Sequence, residues 1–236
     1  MAEQVNKSPR FSPLVQFEKH GKLSVAGRDH DIRAAIDRDE GLMIQRTIET
    51  LKPRIYLEVG LAFGISALYA QEALQQIGQD FTHIVIDPYQ GEDWQNIGIK
   101  MLDEFAAKGS VRLIEQFSEL ALADLLRENI VIDVAFIDGM HTFDHALVDF
   151  FFINKMLRVG GVVIFDDAHW PSVGKLVRHV TTYPCYKQID SSGEKSLARK
   201  IASTIKRMSL TGVIPRAVAF QKVAEDQRDY MWHSWF

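Results

Sequence analysis

Tyr56-Leu57-Glu58-Val59-Gly60-Leu61-Ala62-Phe63-Gly64-Ile65-Ser66 is an apolar run that ends in an acid and a Gly-x-x-x-Gly turn. Ile55 to Val59 is β-branched and aromatic enough for a buried parallel strand, and Ile65 to Ile77 has the spacing and length of a following helix. A glycine-rich turn between such elements lets a ligand approach the backbone near the amino end of a helix dipole. The glycine spacing is not that of the dinucleotide fingerprint Gly-x-Gly-x-x-Gly. Glu58 precedes the turn, where a carboxylate repels phosphate and attracts an ammonium or sulfonium group. The stretch therefore predicts a nucleotide-cofactor site for a cationic ligand.

Working outward, strands are expected near 55–59, 82–86, 111–114, 133–137 and 161–165. Helices are expected near 65–77, 95–107, 118–128, 143–157 and 172–181. Such alternation requires crossover connections and a largely parallel sheet covered on both faces. Ile44, Ile48 and Leu51 mark an amphipathic helix from Asp37 that stops before Pro53. Residues 1–35 are polar, carry Pro9 and Pro13, and read as an arm or loosely packed cap on a domain spanning 36–236. Cys185 to Ile189 and Ala217 to Lys222 look like two further strands. Between them, within about 194–210, Ser196 to Leu210 is a basic helix candidate with Arg199, Lys200, Lys206 and Arg207.

Composition narrows the function. At 236 residues and 47% hydrophobic, the chain can bury one sizeable core. A net charge of −4 argues against a general nucleic-acid binder and favours a small-molecule partner. Met1-Ala2-Glu3-Gln4 does not begin a signal sequence and no run of eighteen apolar residues occurs, so a cytoplasmic protein without a membrane span is expected. The single Cys185 excludes an intramolecular disulfide framework and reads as a packing residue. Assembly into a homo-oligomer is left open.

Two further groups carry chemistry. Ile84-Val85-Ile86-Asp87 puts a carboxylate at the second strand's carboxyl end, where it can accept from both hydroxyls of a ribose. Val134-Ala135-Phe136-Ile137-Asp138-Gly139 and Val162-Val163-Ile164-Phe165-Asp166-Asp167 each run from strand into acid. Three carboxylates on adjacent strand tips repel one another unless a cation sits between them, and all-oxygen ligands suit a hard ion such as Mg²⁺, or alternatively Mn²⁺ or Ca²⁺. The competing reading makes them turn and helix-cap residues. His141, three residues past Asp138, can act as a base near neutral pH. His145 reads as a surface or supporting residue, and His169 and Trp170 as rim residues of a substrate pocket, with Trp170 equally suited to anchoring a loop.

The ordered set Glu58-x-Gly60-x-x-x-Gly64-x-Ser66, Asp87, Ile137-Asp138-Gly139-x-His141 and Gly160-Gly161-Val162-Val163-Ile164-Phe165-Asp166-Asp167 resembles class I S-adenosylmethionine (SAM) methyltransferases of methyltransferase family 24. More distantly, it is similar to the cation-dependent catechol and caffeoyl-CoA O-methyltransferases. The resemblance implies a Rossmann-like, seven-stranded, mainly parallel sheet with helices on both faces, an antiparallel last strand and an amino-terminal helical cap. It implies that Glu58, Gly60, Gly64 and Ser66 hold the methionine part of SAM, Asp87 the ribose, and that Ser118 lies beside the adenine. It also implies a divalent cation, with Mg²⁺ the first expectation, on Asp138, Asp166 and Asp167, and places His141 where those relatives carry a lysine base. Asp167 departs from the asparagine common in them. The implied reaction is O-methylation of a small hydroxylated acceptor, such as a sugar, natural product or catechol. The alternatives are a cation-independent methyltransferase acting on nitrogen or carboxylate, and a non-catalytic SAM-binding protein.

Overall fold

The computed structural model describes residues 11–32, 35–189 and 215–235. Its elements run α1 (Ser12–His20), β1 (Lys22–Val25), β2 (Arg28–Asp31), α2 (Arg38–Leu51), β3 (Ile55–Val59), α3 (Ile65–Ile77), β4 (Thr82–Ile86) and α4 (Ile97–Phe105). They continue with β5 (Val111–Ile114), α5 (Ser118–Arg127), β6 (Ile132–Ile137), α6 (Phe143–Met156), β7 (Leu157–Phe165), α7 (Pro171–Thr181), β8 (Tyr186–Ile189) and β9 (Val218–Lys222). The basic helix expected within 194–210 lies outside the described residues.

The main sheet has seven strands in the order β5-β4-β3-β6-β7-β9-β8. Strands β3 to β7 pair in parallel, and β9 runs antiparallel to both β7 and β8. The chain moves outward from β3 to β5, then returns to lay β6 on the other side of β3. That reversal opens a crevice above the strands' carboxyl ends. Register decides which residues line it. Beyond each strand the ladder continues for one residue: Gly60 N–H to Ile86 O, Asp87 N–H to Ile114 O, Asp138 N–H to Val59 O and Asp166 N–H to Ile137 O, at 2.8–3.2 Å. Gly60, Asp87, Asp138 and Asp166 thus form one row along the sheet edge.

Each sheet face carries its own core. Leu57, Val59, Ala135, Ile137 and Phe165 pack with α5, α6 and α7, whereas Tyr56, Val85, Val134, Phe136 and Ile164 pack with α2, α3 and α4. The period-two alternation of a strand produces this division, and it sends Glu58 to the same face as Tyr56. Residues 11–32 correct the expectation of an arm or loosely packed cap. Leu14 and Leu23 are fully buried and Val25 is 1% exposed, in one cluster with Ile44 and Tyr69. The helix is joined there by a two-stranded hairpin, β1–β2, which polar composition concealed. Asp37 and Glu40 open α2 with a reciprocal capping box, the Asp-x-x-Glu spacing that allows each side chain to reach the other's backbone N–H.

Candidate functional site

A cavity of about 690 Å³ lies over the row of strand tips. One end is walled by Asp87, Tyr89, Phe117, Ser118, Gly139 and Met140, and the other by Asp138, His141, Asp166, Asp167, Trp170 and Arg216. The turn from Gly60 to Ser66 forms the wall between them. Except for Glu58 and His169, every site residue expected from the sequence lines this space.

Glu58 is fully buried behind the wall. Its Oε1 accepts from the Ser66 hydroxyl, and its Oε2 lies 2.9 Å from His83 Nε2. Ser66, not Glu58, presents this network to the cavity.

Asp87 is 4% exposed and organises the turn. Its Oδ2 accepts from Leu61 N–H, Ala62 N–H and Gln90 Nε2, each at 2.9 Å, and its Oδ1 accepts from Tyr89 N–H at 2.8 Å. A carboxylate offers about four acceptor sites, two per oxygen, so the free capacity lies on Oδ1.

The glycines also have a role within the fold itself. A Cβ on Gly60, at φ +91°, would stand 2.0 Å from the Asp138 carbonyl oxygen. One on Gly64, at φ +83°, would stand 2.1 Å from Met101 Cε. Gly60 is required by close packing of the turn on the backbone at the end of β6, and Gly64 by its left-handed conformation, since Met101 Cε is the movable end of a flexible side chain.

At the other end, the two adjacent aspartates separate. Asp166 continues the strand. Asp167 takes the left-handed conformation, φ +47°, which turns its carboxylate toward Asp138. Aspartate and asparagine tolerate this backbone better than most residues, which accounts for an Asp or Asn at that position. His141 Nε2 lies 3.2 Å from Asp138 Oδ1 and 2.9 Å from Asp167 Oδ2, and Trp170 packs on its ring at 4.8 Å between centroids. One ligand atom from each of Asp138, His141 and Asp167 falls within 4.8 Å of the others. The structure therefore gathers two of the three expected metal acids with the expected base, and Asp166 stands beside them.

The electrostatics mark this end as short of positive charge. Burial pushes Asp166 up to about 10, and repulsion from Asp138 and Glu40 adds to it. Its Oδ1 is buried without a hydrogen-bond partner. Burial likewise raises Asp138 to about 6, against the opposing bond from His141. The same Asp138 bond raises His141 above its usual range. A cation among these groups would relieve all three carboxylates, so the donor set fits a divalent ion. Two carboxylates with an imidazole also suit softer ions than Mg²⁺. If His141 binds the ion through Nε2, that nitrogen cannot serve as the base.

Sequence reasoning did not find Arg216 or Glu40. Arg216 Nε lies 3.3 Å from Glu40 Oε1 and Nη1 lies 3.7 Å from Asp37 Oδ2, at the cavity rim. The capping box marks Glu40 as a helix start, but no local signal pairs it with a cation 176 positions later. Of the other residues singled out, His145 lines the cavity, its Nδ1 2.7 Å from Thr142 Oγ1. His169 does not line the cavity, though its Nδ1 lies 3.6 Å from Asp167 Oδ1. Cys185 is buried. Among the described residues no helix is long and apolar enough to cross a membrane.

Residues 57–168, which contain the motif turn, Asp87, Asp138, His141 and both terminal aspartates, match the family model described as a methyltransferase domain, of methyltransferase family 24. That stretch, just under half of the chain, is similar to a methyltransferase domain. The methyltransferase fold also aligns with solved structures. One is the Bacillus cereus O-methyltransferase in complex with S-adenosylhomocysteine (SAH), with 17% identity, 91% of this chain and 92% of that chain covered, and a TM-score of 0.61. Another is a SAH-bound methyltransferase from Podospora anserina, with 16% identity, 92% and 90% covered, and a TM-score of 0.64. At such identities the alignments speak for the fold. No curated protein matches the sequence.

Proposed function

We propose that the methyltransferase acts on a hydroxyl of a small acceptor, with a divalent cation held by Asp138 and Asp167, and by Asp166 or His141. The carrying observation is the group of three crowded carboxylates and His141 at the tips of β6 and β7, in the same cavity as the motif turn. O-Methylation by the Bacillus cereus relative supports the same reading here. The SAM adenosine would lie between Tyr89, Phe117 and Met140, with a ribose hydroxyl on Asp87 Oδ1 and the adenine beside Ser118. Its methionine part would lie along Gly60 to Ser66.

When bound, the cation supplies Lewis acidity that lowers an acceptor hydroxyl's pKa. His141 receives the hydroxyl proton where its Nε2 is free of the ion. The acceptor oxygen then forms a bond to the methyl carbon as the carbon–sulfur bond breaks, and that bonding pair stays on sulfur in SAH. Trp170 and Arg216 border the acceptor end, so an acceptor with an aromatic or anionic part fits best. Much of the rate would come from holding two reactants in line.

His141 also favours a second reading. Its Nε2 already lies between Asp138 and Asp167, so a protonated imidazole can serve as an internal counter-charge. The domain would then act without a metal. One assay separates the two: transfer from labelled SAM to a small-molecule extract, with Mg²⁺ and after chelation, followed by mass identification of the product. Labelling that vanishes on chelation and returns with Mg²⁺ supports the cation reading. Labelling that survives chelation supports the second, and an absence of methylated product under both conditions refutes O-methylation.

A further inference from the structure

Behind the motif turn lies a buried chain of hydrogen bonds whose direction is fixed by backbone groups. Gln71 and His83 are fully buried, like Glu58. Gln71 Oε1 accepts from Ala107 N–H at 3.3 Å and from Gln75 Nε2 at 3.2 Å. Gln75 Nε2 also donates to the Phe105 carbonyl at 2.9 Å, which fixes its own amide orientation. A backbone N–H cannot accept and a backbone C=O cannot donate, so Gln71 must turn its oxygen to Ala107 and its NH₂ to His83. Its Nε2 lies 3.0 Å from His83 Nδ1, which must therefore accept. The ring proton sits on Nε2 and donates to Glu58 Oε2 at 2.9 Å. Glu58 Oε1 accepts a hydrogen bond from the Ser66 hydroxyl. Ser66 has no other proton to give, so toward the cavity its oxygen offers lone pairs only.

We propose that His83 is a positioning residue for cofactor recognition: with Gln71 it fixes Glu58 as a double acceptor, and Glu58 fixes Ser66 as an acceptor that selects the α-ammonium of the cofactor's amino-acid part. The proposal rests on the SAM reading above and deepens it. It explains why an acid closed off from the cavity belongs to the cofactor motif: Glu58 acts through Ser66. It also explains a histidine in the middle of an apolar strand, where it takes a place that valine or isoleucine would otherwise fill.

Calorimetry on the full chain tests this with SAH and with its analogue lacking the α-amino group. The wild type should bind SAH more tightly by about ten- to a hundredfold, as expected for a hydrogen bond to a charged group. His83→Phe and Ser66→Ala should each reduce that ratio to about threefold or less while leaving affinity for the analogue nearly unchanged. His83→Gln, which keeps an N–H donor, should restore much of the discrimination. A measurement without any variant uses ¹⁵N NMR of the wild-type imidazole, which should show a neutral ring protonated on Nε2. A ring protonated on Nδ1 or on both nitrogens overturns the proposal. So does full discrimination in His83→Phe, or an equal loss of affinity for both compounds. These outcomes leave the cofactor reading standing, whereas a wild type that binds neither compound overturns that reading and the proposal with it.

Discussion

Gly60→Ala should show that the motif's first glycine is demanded by the fold. The new Cβ would stand 2.0 Å from the Asp138 carbonyl oxygen, where ordinary contact begins at 3.4 Å, so something must retreat by about 1.4 Å. The obstacle is backbone at the end of β6, which already bonds to Val59. Holding alanine at φ +91° costs about 1–2 kcal/mol, and forcing extra volume into a packed site costs about 1–3 kcal/mol, for a total of about 2–5 kcal/mol. Gly78 provides the control. It caps α3 at φ +70° with nothing within 4 Å of its missing Cβ, so Gly78→Ala should incur only the backbone cost. Urea unfolding of both variants should give unchanged m-values and a lower midpoint, with Gly60→Ala the less stable by about 1–3 kcal/mol. Because Asp138 must shift, methyl transfer should fall even where the variant stays folded. Equal losses for Gly60→Ala and Gly78→Ala would refute the reasoning, and the glycine would then serve only the ligand.

Three further outcomes follow from the same geometry. Asp167→Ala should abolish Mg²⁺-dependent transfer while SAH affinity by calorimetry stays near the wild-type value, since that carboxylate lies at the acceptor end of the cavity; retained dependence on Mg²⁺ would remove Asp167 from the ion's ligands. Arg228 and Asn154 hold Asp226 down to about 2 against an ordinary 3.8, so its stabilisation is present above about pH 4 and is lost as pH falls through about 2. Asp226→Asn should therefore cost roughly 1–2 kcal/mol at pH 7 in urea titrations, with the difference closing toward pH 2. Burial raises Asp149 to about 6 against the opposing pull of Ser118 and His145, so stability should fall as pH rises from about 4 through 6. Asp149→Asn should flatten that fall, and an unchanged pH profile would show that the carboxyl is relieved by another contact.

Much of this protein was legible in its residue order because the signals are local. Apolar runs of strand length, helical spacing between them and the acid at each strand's end required only neighbouring residues, and they yielded the parallel sheet and the carboxylates at its strand tips, while the antiparallel last strand came from the resemblance. Motif order then supplied the family. What required the tertiary structure was the direction and reach of side chains. Strand alternation shows that Glu58 leaves the cavity's side of the sheet, but only the fold reveals His83 and Ser66 waiting there. Asp166 and Asp167 are adjacent in sequence, yet a left-handed residue sends one into the His141 group and leaves the other beside it. The hairpin over 22–31 and the Arg216–Glu40 pair come from contacts between distant segments, whose short and polar sequences carry no periodicity of their own. Local patterns fix which residues reach the sheet edge, and long-range packing decides which way each one faces.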